Sequence, residues 1–290
     1  MSKFAFALHG GAGPVPGRDY GTTETHLRSL AEQCSAQLSS GSAALDVVEF
    51  AVAELESCGL YVAGKGSAPN TAGFVELDAS IMHGPSRAAG AVAAIVDVVN
   101  PVCVARGVME HTSHVMLAGS GALDFARKRG YSLVEDATSY YVLPVGVTAE
   151  DVTEQKHGTV GAVALDSAGE LAAATSTGGT FMKLEGRVGD TPLIGPGTWA
   201  DDSIAVSFTG TGEHIIRSGG AIAVALAYRS GASLDEAAAS VLAEIRRLGG
   251  DAGLIAETRD AALTMPYNSD GMKRAAASSD LTLTVATFSN

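Results

Sequence analysis

The stretch His157-Gly158-Thr159-Val160-Gly161-Ala162-Val163-Ala164-Leu165-Asp166 decides how the rest of the chain is read. A threonine preceded by glycine opens a run of small and β-branched residues that alternates like a half-buried strand. Its hydroxyl therefore stands at a strand's first position with pliant backbone behind it. That is a cleavable geometry. Attack of the Thr159 hydroxyl on the Gly158-Thr159 peptide, followed by hydrolysis of the ester, would make Thr159 a chain end. Its hydroxyl would then lie beside its own α-amine, whose ordinary pKa of roughly 7.7 to 8.0 suits a general base near neutral pH. On these two residues alone, a strand start with no chemistry is the plainer reading, and the surroundings must decide.

The chain has 290 residues, 46 % hydrophobic and 18 % charged, with 35 glycines and one Trp. It is long enough to bury a sizeable core, and the glycines signal tight turns and close backbone approaches. A net charge of -13 argues against a nucleic acid or an anionic membrane surface as partner and leaves a small molecule or peptide. Cys34, Cys58 and Cys103 are an odd count in apolar or helical surroundings, poor material for a disulfide framework, so a cytoplasmic protein is expected. The apolar run Phe4 to Leu8 is too short for a signal peptide, and no segment reaches the ~18 apolar residues of a membrane helix.

Phe4 to Leu8 reads as a buried strand ending in the loop His9-Gly10-Gly11-Ala12-Gly13, which lacks the spacing of a phosphate-cradling loop. Helices are expected within Thr23 to Leu38 and from Ala43 to Glu56, the second with Ser42 as N-cap. Gly59 to Gly73 is a long irregular loop. Val75 to Met82 and Ala91 to Val98 read as paired strands, Pro101 to His111 as a helix, Val115 to Leu117 as a strand and Gly121 to Arg129 as a helix stopped by Gly130. His111 and His114 stand three apart but lack the acidic partner of an H-E-x-x-H pattern, which weakens a metal reading. Ser132 to Gly158 is a polar excursion leading to the proposed cleavage point. Beyond it, Thr159 to Leu165 and Glu170 to Thr175 flank a hairpin turn at Asp166-Ser167-Ala168-Gly169, and Ile204 to Phe208 is a further strand. Ser218 to Ala227 and Ser233 to Leu248 are helical, with Ser233 and Glu236 spaced as a capping box. Ala252 to Glu257, Ala262 to Met265 and Leu281 to Phe288 complete two stacked sheets with helices outside, an α+β arrangement.

Three clusters beyond Thr159 carry the residue types that amide cleavage needs. Thr175-Ser176-Thr177-Gly178-Gly179 ends a strand with hydroxyls over glycines, and Gly186-Arg187-Val188-Gly189-Asp190 sets a guanidinium and a carboxylate three apart. Thr209-Gly210-Thr211-Gly212-Glu213 offers backbone N–H groups in a turn, suited to an oxyanion hole. With His9-Gly10-Gly11-Ala12-Gly13, Glu76-Leu77-Asp78-Ala79, Ala105-Arg106 and Met265-Pro266-Tyr267-Asn268, these clusters resemble the plant-type asparaginase and isoaspartyl peptidase family of N-terminal nucleophile hydrolases. The resemblance spans nearly the whole chain with the motifs in the family's order.

That resemblance implies a four-layer αββα sandwich in one domain over residues 1–290. It implies self-cleavage into an α chain, residues 1–158, and a β chain, residues 159–290, pairing as a homodimer of αβ heterodimers. It also implies roles: Thr159 as nucleophile, Thr177 tuning it, Thr209 and Gly210 donating to the oxyanion, Arg187 gripping the substrate's α-carboxylate, Asp190 its α-ammonium, and Gly212 lining the amine pocket. The expected substrates are asparagine and β-aspartyl dipeptides, with no cofactor required and a structural sodium ion in the loop containing Leu60, Val62 and Lys65. The chain departs from the family at Val62-Ala63-Gly64-Lys65-Gly66, where Asn-Ala-Gly-x-Gly is usual, and at His83 and Pro196. Val62 keeps a second reading open, the same chemistry on an N-substituted asparagine or γ-glutamyl amide. A third is a non-catalytic amino-acid-binding homologue that retains Arg187 and Asp190.

Overall fold

Small residues at alternate strand positions let two sheets of this chain approach closely. In the computed structural model, which describes residues 3–144, 147–153 and 158–289, they do so along much of their length. His157 lies outside the described residues. The first strand, β1 (Ala5–Ala12), precedes α1 (Gly21–Ser39) and α2 (Ala44–Ser57), and a single 3-10 turn at Gly64–Gly66 interrupts the irregular loop. Then come β2 (Leu77–His83), β3 (Ala89–Ile95), α3 (Pro101–His111), β4 (Met116–Ala118), α4 (Gly119–Arg129), α5 (Ala137–Tyr140) and α6 (Ala149–Thr153). The remainder is β5 (Val160–Leu165), β6 (Leu171–Thr177), β7 (Thr198–Ala200), β8 (Ile204–Gly210), α7 (Gly212–Ser218), α8 (Gly220–Arg229), α9 (Leu234–Arg247), β9 (Ala252–Thr258), β10 (Leu263–Thr264), β11 (Met272–Ser278) and β12 (Thr284–Ala286).

Eight strands form one sheet in the order β12-β11-β1-β5-β6-β2-β3-β4, and four form a second in the order β10-β9-β8-β7. Every pairing is antiparallel except β3 with β4. One face of the large sheet packs on α1 to α4 through residues such as Leu27, Val48, Leu55 and Val102. The other face meets the small sheet, where Ala7, Val163, Ala173, Ala205 and Ile255 are buried together. The outer face of the small sheet is covered by α8 and α9. In α9, Leu234, Ala237, Ala238, Val241, Leu242 and Ile245 recur at three- and four-residue steps and are all buried. Burying Ile245 alone contributes on the order of 1.5–3 kcal/mol. The fold is thus mixed α and β, as expected, and among the described residues no helix is long and apolar enough to cross a membrane.

Local signals gave most boundaries to within a few residues, and the capping box of α9 is present, Ser233 and Glu236 bonding each other's backbone. Four expectations need correction. Ser42 does not cap α2; the Asp166 carboxylate, from the turn between β5 and β6, accepts from the Ala44 N–H at 2.9 Å. A charged acceptor at a helix start does what a local hydroxyl would do. The loop expected at His9 to Gly13 is strand as far as Ala12, paired on both sides at His9, bulged after it, and paired to β11 alone at Ala12. The helix expected from Ser218 begins at Gly212 and breaks at Gly219 and Gly220, both with positive φ. Finally β11, read as no element, lies beside β1, and β7 also went unread.

Candidate active site

The site is built on the β5–β6 hairpin. Its register pairs Val160 with Ser176, which sets Thr159, just ahead of β5, across from Thr177 at the end of β6. Both hydroxyl residues are nearly inaccessible, 4 % and 3 % exposed. The Thr159 hydroxyl donates to Thr177 Oγ1 at 3.3 Å, Thr177 donates to the Gly158 carbonyl at 2.5 Å, and the Gly179 N–H donates to Thr177 Oγ1 at 2.9 Å. A hydrogen-bonded path therefore runs from the candidate nucleophile to the oxygen of the carbonyl it would attack.

Facing this pair is a small cavity whose wall includes Gly158, Thr159, Thr177, Arg187, Asp190 and Gly210. Arg187 is not bare. Its Nε and Nη2 donate to the two Glu213 carboxylate oxygens, each at 2.9 Å, a bidentate pair. The guanidinium holds Glu213 below the usual carboxylate range. Asp190 is buried beside it. Gly212 sits between them, and a Cβ there would fall 2.9 Å from Asp190 Oδ1 and 3.0 Å from Arg187 Nη2. Any side chain at Gly212 would fill the space between the two charges.

A second charged layer lies behind. Glu76, Asp78 and Lys183 are all buried; Lys183 Nζ donates to the Glu76 carbonyl at 2.9 Å, and the Glu76 carboxylate accepts from Asn70 and from the Gly186 N–H. Burial pulls the Lys183 ammonium below its ordinary pKa and pushes Asp78 above its own, each partly offset by the other's charge. The Gly186 bond anchors the loop that presents Arg187.

Thr159 is also tied to the small sheet through its own carbonyl. His9 on β1 bonds that oxygen through Nδ1 at 3.1 Å and Ser207 Oγ on β8 through Nε2 at 2.9 Å. A carbonyl only accepts, so Nδ1 carries the ring proton and Ser207 donates to Nε2. The chain continues through Thr175 at 2.7 Å and Thr198 at 2.5 Å to Ser80, whose single proton is shared between Thr198 Oγ1 and the Thr191 carbonyl. Burial pushes His9 down to about 3, so the ring is neutral, with the bond to Thr159 opposing the shift. Gly161 makes this contact between sheets possible, since a Cβ there would fall 2.1 Å from Ser207 Oγ and 2.4 Å from His9 Nε2.

Thr159, Thr177, Arg187, Asp190, Gly158 and Gly210 thus share one cavity, and Gly212 adjoins it. Thr209 is fully buried and does not line the cavity; its Oγ1 accepts from the Ala12 N–H at 3.0 Å. In the irregular loop the carbonyls of Val62 and Lys65 accept from the N–H groups of Gly178 and Val142. Both oxygens are thus already engaged, and a cation there would have to use their second lone pairs. His83 is remote from the site, paired with Ala172 at the far end of β6. Among the described residues no three His, Cys, Asp or Glu side chains gather as a metal site. Sequence reasoning gave no role to Glu213, Lys183 or His9. The motif holding His9 was noticed, whereas Lys183 sits in an aperiodic stretch with no sequence signal.

Comparison with known proteins follows the same lines. A family profile described as Asparaginase matches residues 2–287. The isoaspartyl peptidase of Escherichia coli is 44 % identical over 299 residues, covering 95 % of this chain and 93 % of that protein. A probable isoaspartyl peptidase/L-asparaginase of Arabidopsis thaliana is 38 % identical, covering 99 % of both chains. A plant-type L-asparaginase of Pyrococcus horikoshii is 41 % identical over 73 % of this chain.

Proposed function

The chain belongs to the asparaginase family, and on that premise we propose that it hydrolyses the side-chain amide of asparagine and of β-aspartyl dipeptides, with Thr159 as nucleophile after cutting its own chain. The observation that carries this reading is the Thr159–Thr177–Gly158 path at the wall of the cavity that holds Arg187 and Asp190. The finer fold reading is the αββα sandwich of the N-terminal nucleophile hydrolases, supported by two sheets packed face to face with helices outside each.

In the maturation step Thr159 Oγ1 attacks the Gly158 carbonyl carbon. Its proton passes to Thr177 Oγ1 while the Thr177 proton moves to the carbonyl oxygen. Collapse breaks the C–N bond and frees the Thr159 amine, and water cleaves the Gly158 ester, leaving chains of residues 1–158 and 159–290. In turnover the substrate's α-carboxylate meets Arg187, replacing Glu213, and its α-ammonium meets Asp190. Its β-carbonyl carbon then faces Thr159 Oγ1, and the α-amine takes the hydroxyl proton. The Gly210 backbone, at the cavity wall, stabilises the oxyanion, and Thr209 stands behind it, bonded to the Ala12 N–H. The proton goes to the leaving nitrogen, ammonia or an amino acid departs, and water releases aspartate from the ester. Asp190 and the His9 bond keep Thr159 and the head group in register.

A sodium ion would be held by backbone carbonyls of the loop containing Leu60, Val62 and Lys65, where it would stiffen the support of Gly178 and take no chemical part. The assembly proposed is a homodimer of αβ units in the cytoplasm. Val62, apolar and packed beside Gly158, favours a second substrate class, N-substituted asparagine amides. Ammonia release from asparagine and aspartate release from β-aspartyl-leucine test the reading. Turnover lost in Thr159→Ala supports it, and equal turnover in that variant refutes it.

A further inference from the structure

Gly158 lines two cavities. One is the small space with Arg187 and Asp190; the other is larger, and among the described residues the two linings have only Gly158 in common. The second cavity is apolar along Val62, Phe181 and Val15, and its charged wall residues are Arg18, Asp151 and Lys273. Arg18 is bonded to the Asp151 carboxylate. Lys273 is placed differently. Its Nζ lies 5.3 Å from the Tyr20 ring centre and 5.8 Å from that of Tyr61, and among the described residues no carboxylate pairs with it. Two aromatic faces fix an ammonium in position but supply no counter-charge, and a charge withdrawn from water gains most from an anion brought to it. Burial brings the Lys273 ammonium down to about 8, which leaves it charged at neutral pH.

Gly158 borders both cavities and lies close against Val62, where an added Cβ would fall 2.8 Å from Val62 Cβ. Gly158 is the residue that the maturation cut detaches from Thr159, so the cut would free the wall that the nucleophile's cavity shares with the larger one. We propose that it seats the leaving amino acid of a β-aspartyl dipeptide, with Lys273 reading that residue's free carboxylate and Val62, Phe181 and Val15 receiving an apolar side chain. The inference rests on the hydrolase reading above and adds the feature that distinguishes a dipeptide from asparagine. Arg187 and Asp190 recognise the head group, which both share, whereas Lys273 recognises a carboxylate that only the dipeptide carries.

The test compares β-aspartyl-leucine with β-aspartyl-leucinamide, identical but for that carboxylate, on the mature wild-type protein. The expected kcat/KM ratio favours the free acid by about tenfold or more, the scale of one charge-assisted contact. The ratio falls close to one in Lys273→Met and is restored in Lys273→Arg. A wild-type ratio near one, or the same ratio in wild type and Lys273→Met, overturns the proposal. Should Lys273→Met not fold, the wild-type ratio alone decides. If asparagine and both dipeptides are left intact, the hydrolase reading fails and takes this inference with it, whereas turnover without discrimination sinks only the role of Lys273.

Discussion

Replacing Thr177 by Val keeps the shape of the side chain and deletes the oxygen that links Thr159 to the Gly158 carbonyl. In the uncut chain that oxygen donates to Gly158 O at 2.5 Å and accepts from Thr159 Oγ1 at 3.3 Å and from the Gly179 N–H at 2.9 Å. The first bond polarises the carbonyl under attack and supplies the proton its oxygen gains. Loss of one such donor costs about 2.7–4 kcal/mol of barrier, a slowing of about 10²- to 10³-fold. The fold loses stability too: leaving the Gly179 N–H and the Gly158 carbonyl without this partner costs about 1–3 kcal/mol each, so folding must be checked beside the rate. The assay is the time course of chain cutting in freshly purified protein, followed by gel and intact mass at neutral pH. Thr177→Val should remain a single chain over times in which wild type is cut, and Thr177→Ser, which retains the oxygen, should stay within about tenfold of wild type. Cutting of Thr177→Val at the wild-type rate, in protein that melts cooperatively, would refute the relay and leave Thr177 a packing residue.

Two further perturbations address charge. Glu213 occupies both donors of Arg187 that a substrate carboxylate needs, yet its side chain is 56 % exposed and the pair is screened. Glu213→Gln should lower KM for asparagine by up to about fivefold, the equivalent of about 1 kcal/mol for an exposed ion pair; a raised KM in steady-state kinetics would show instead that Glu213 is needed to aim the guanidinium. Burial pushes Glu56 up to about 8, against bonds from Asn100 and the Val102 N–H at the start of α3. The folded state therefore holds a proton there that the unfolded chain releases near its ordinary value of 4.5, so stability is fully present below pH 4.5 and falls as pH rises towards 8. Melting curves at pH 5, 7 and 9 should show Glu56→Gln gaining on wild type as pH rises. A gap independent of pH would mean the Glu56 carboxyl is not perturbed in this way.

What the sequence revealed and what it hid follow from the range of the forces involved. Thr159 was legible as a strand start behind a glycine, and Thr177 gained its role from the resemblance to the family; the strands that carry them are joined by a tight turn, so their register is local. Arg187 and Asp190 share one short loop between glycines, but their spacing alone reads as a loop salt bridge, and only the resemblance to the family gave them roles. Glu213 was quoted in its motif but its bond to Arg187 joins residues 26 apart, and nothing local to either announces it. Asp166 displaced Ser42 as the cap of α2 across 122 residues for the same reason. The strand β11 was missed because Lys273 and Arg274 break the apolar alternation of its first half, while pairing to β1 on one side and β12 on the other fixes it as strand. His9 became visible as a support of Thr159 only when the small sheet brought Ser207 against it.

The account turns on whether the Gly158-Thr159 bond breaks and frees the Thr159 amine. Intact-mass measurement with N-terminal sequencing of the purified protein addresses this directly. Two fragments are predicted in place of one chain of 29.3 kDa, the smaller of them 132 residues long and beginning at Thr159, with no cutting in Thr159→Ala. A single uncut chain that nonetheless releases ammonia from asparagine would contradict the account and place the chemistry at another group.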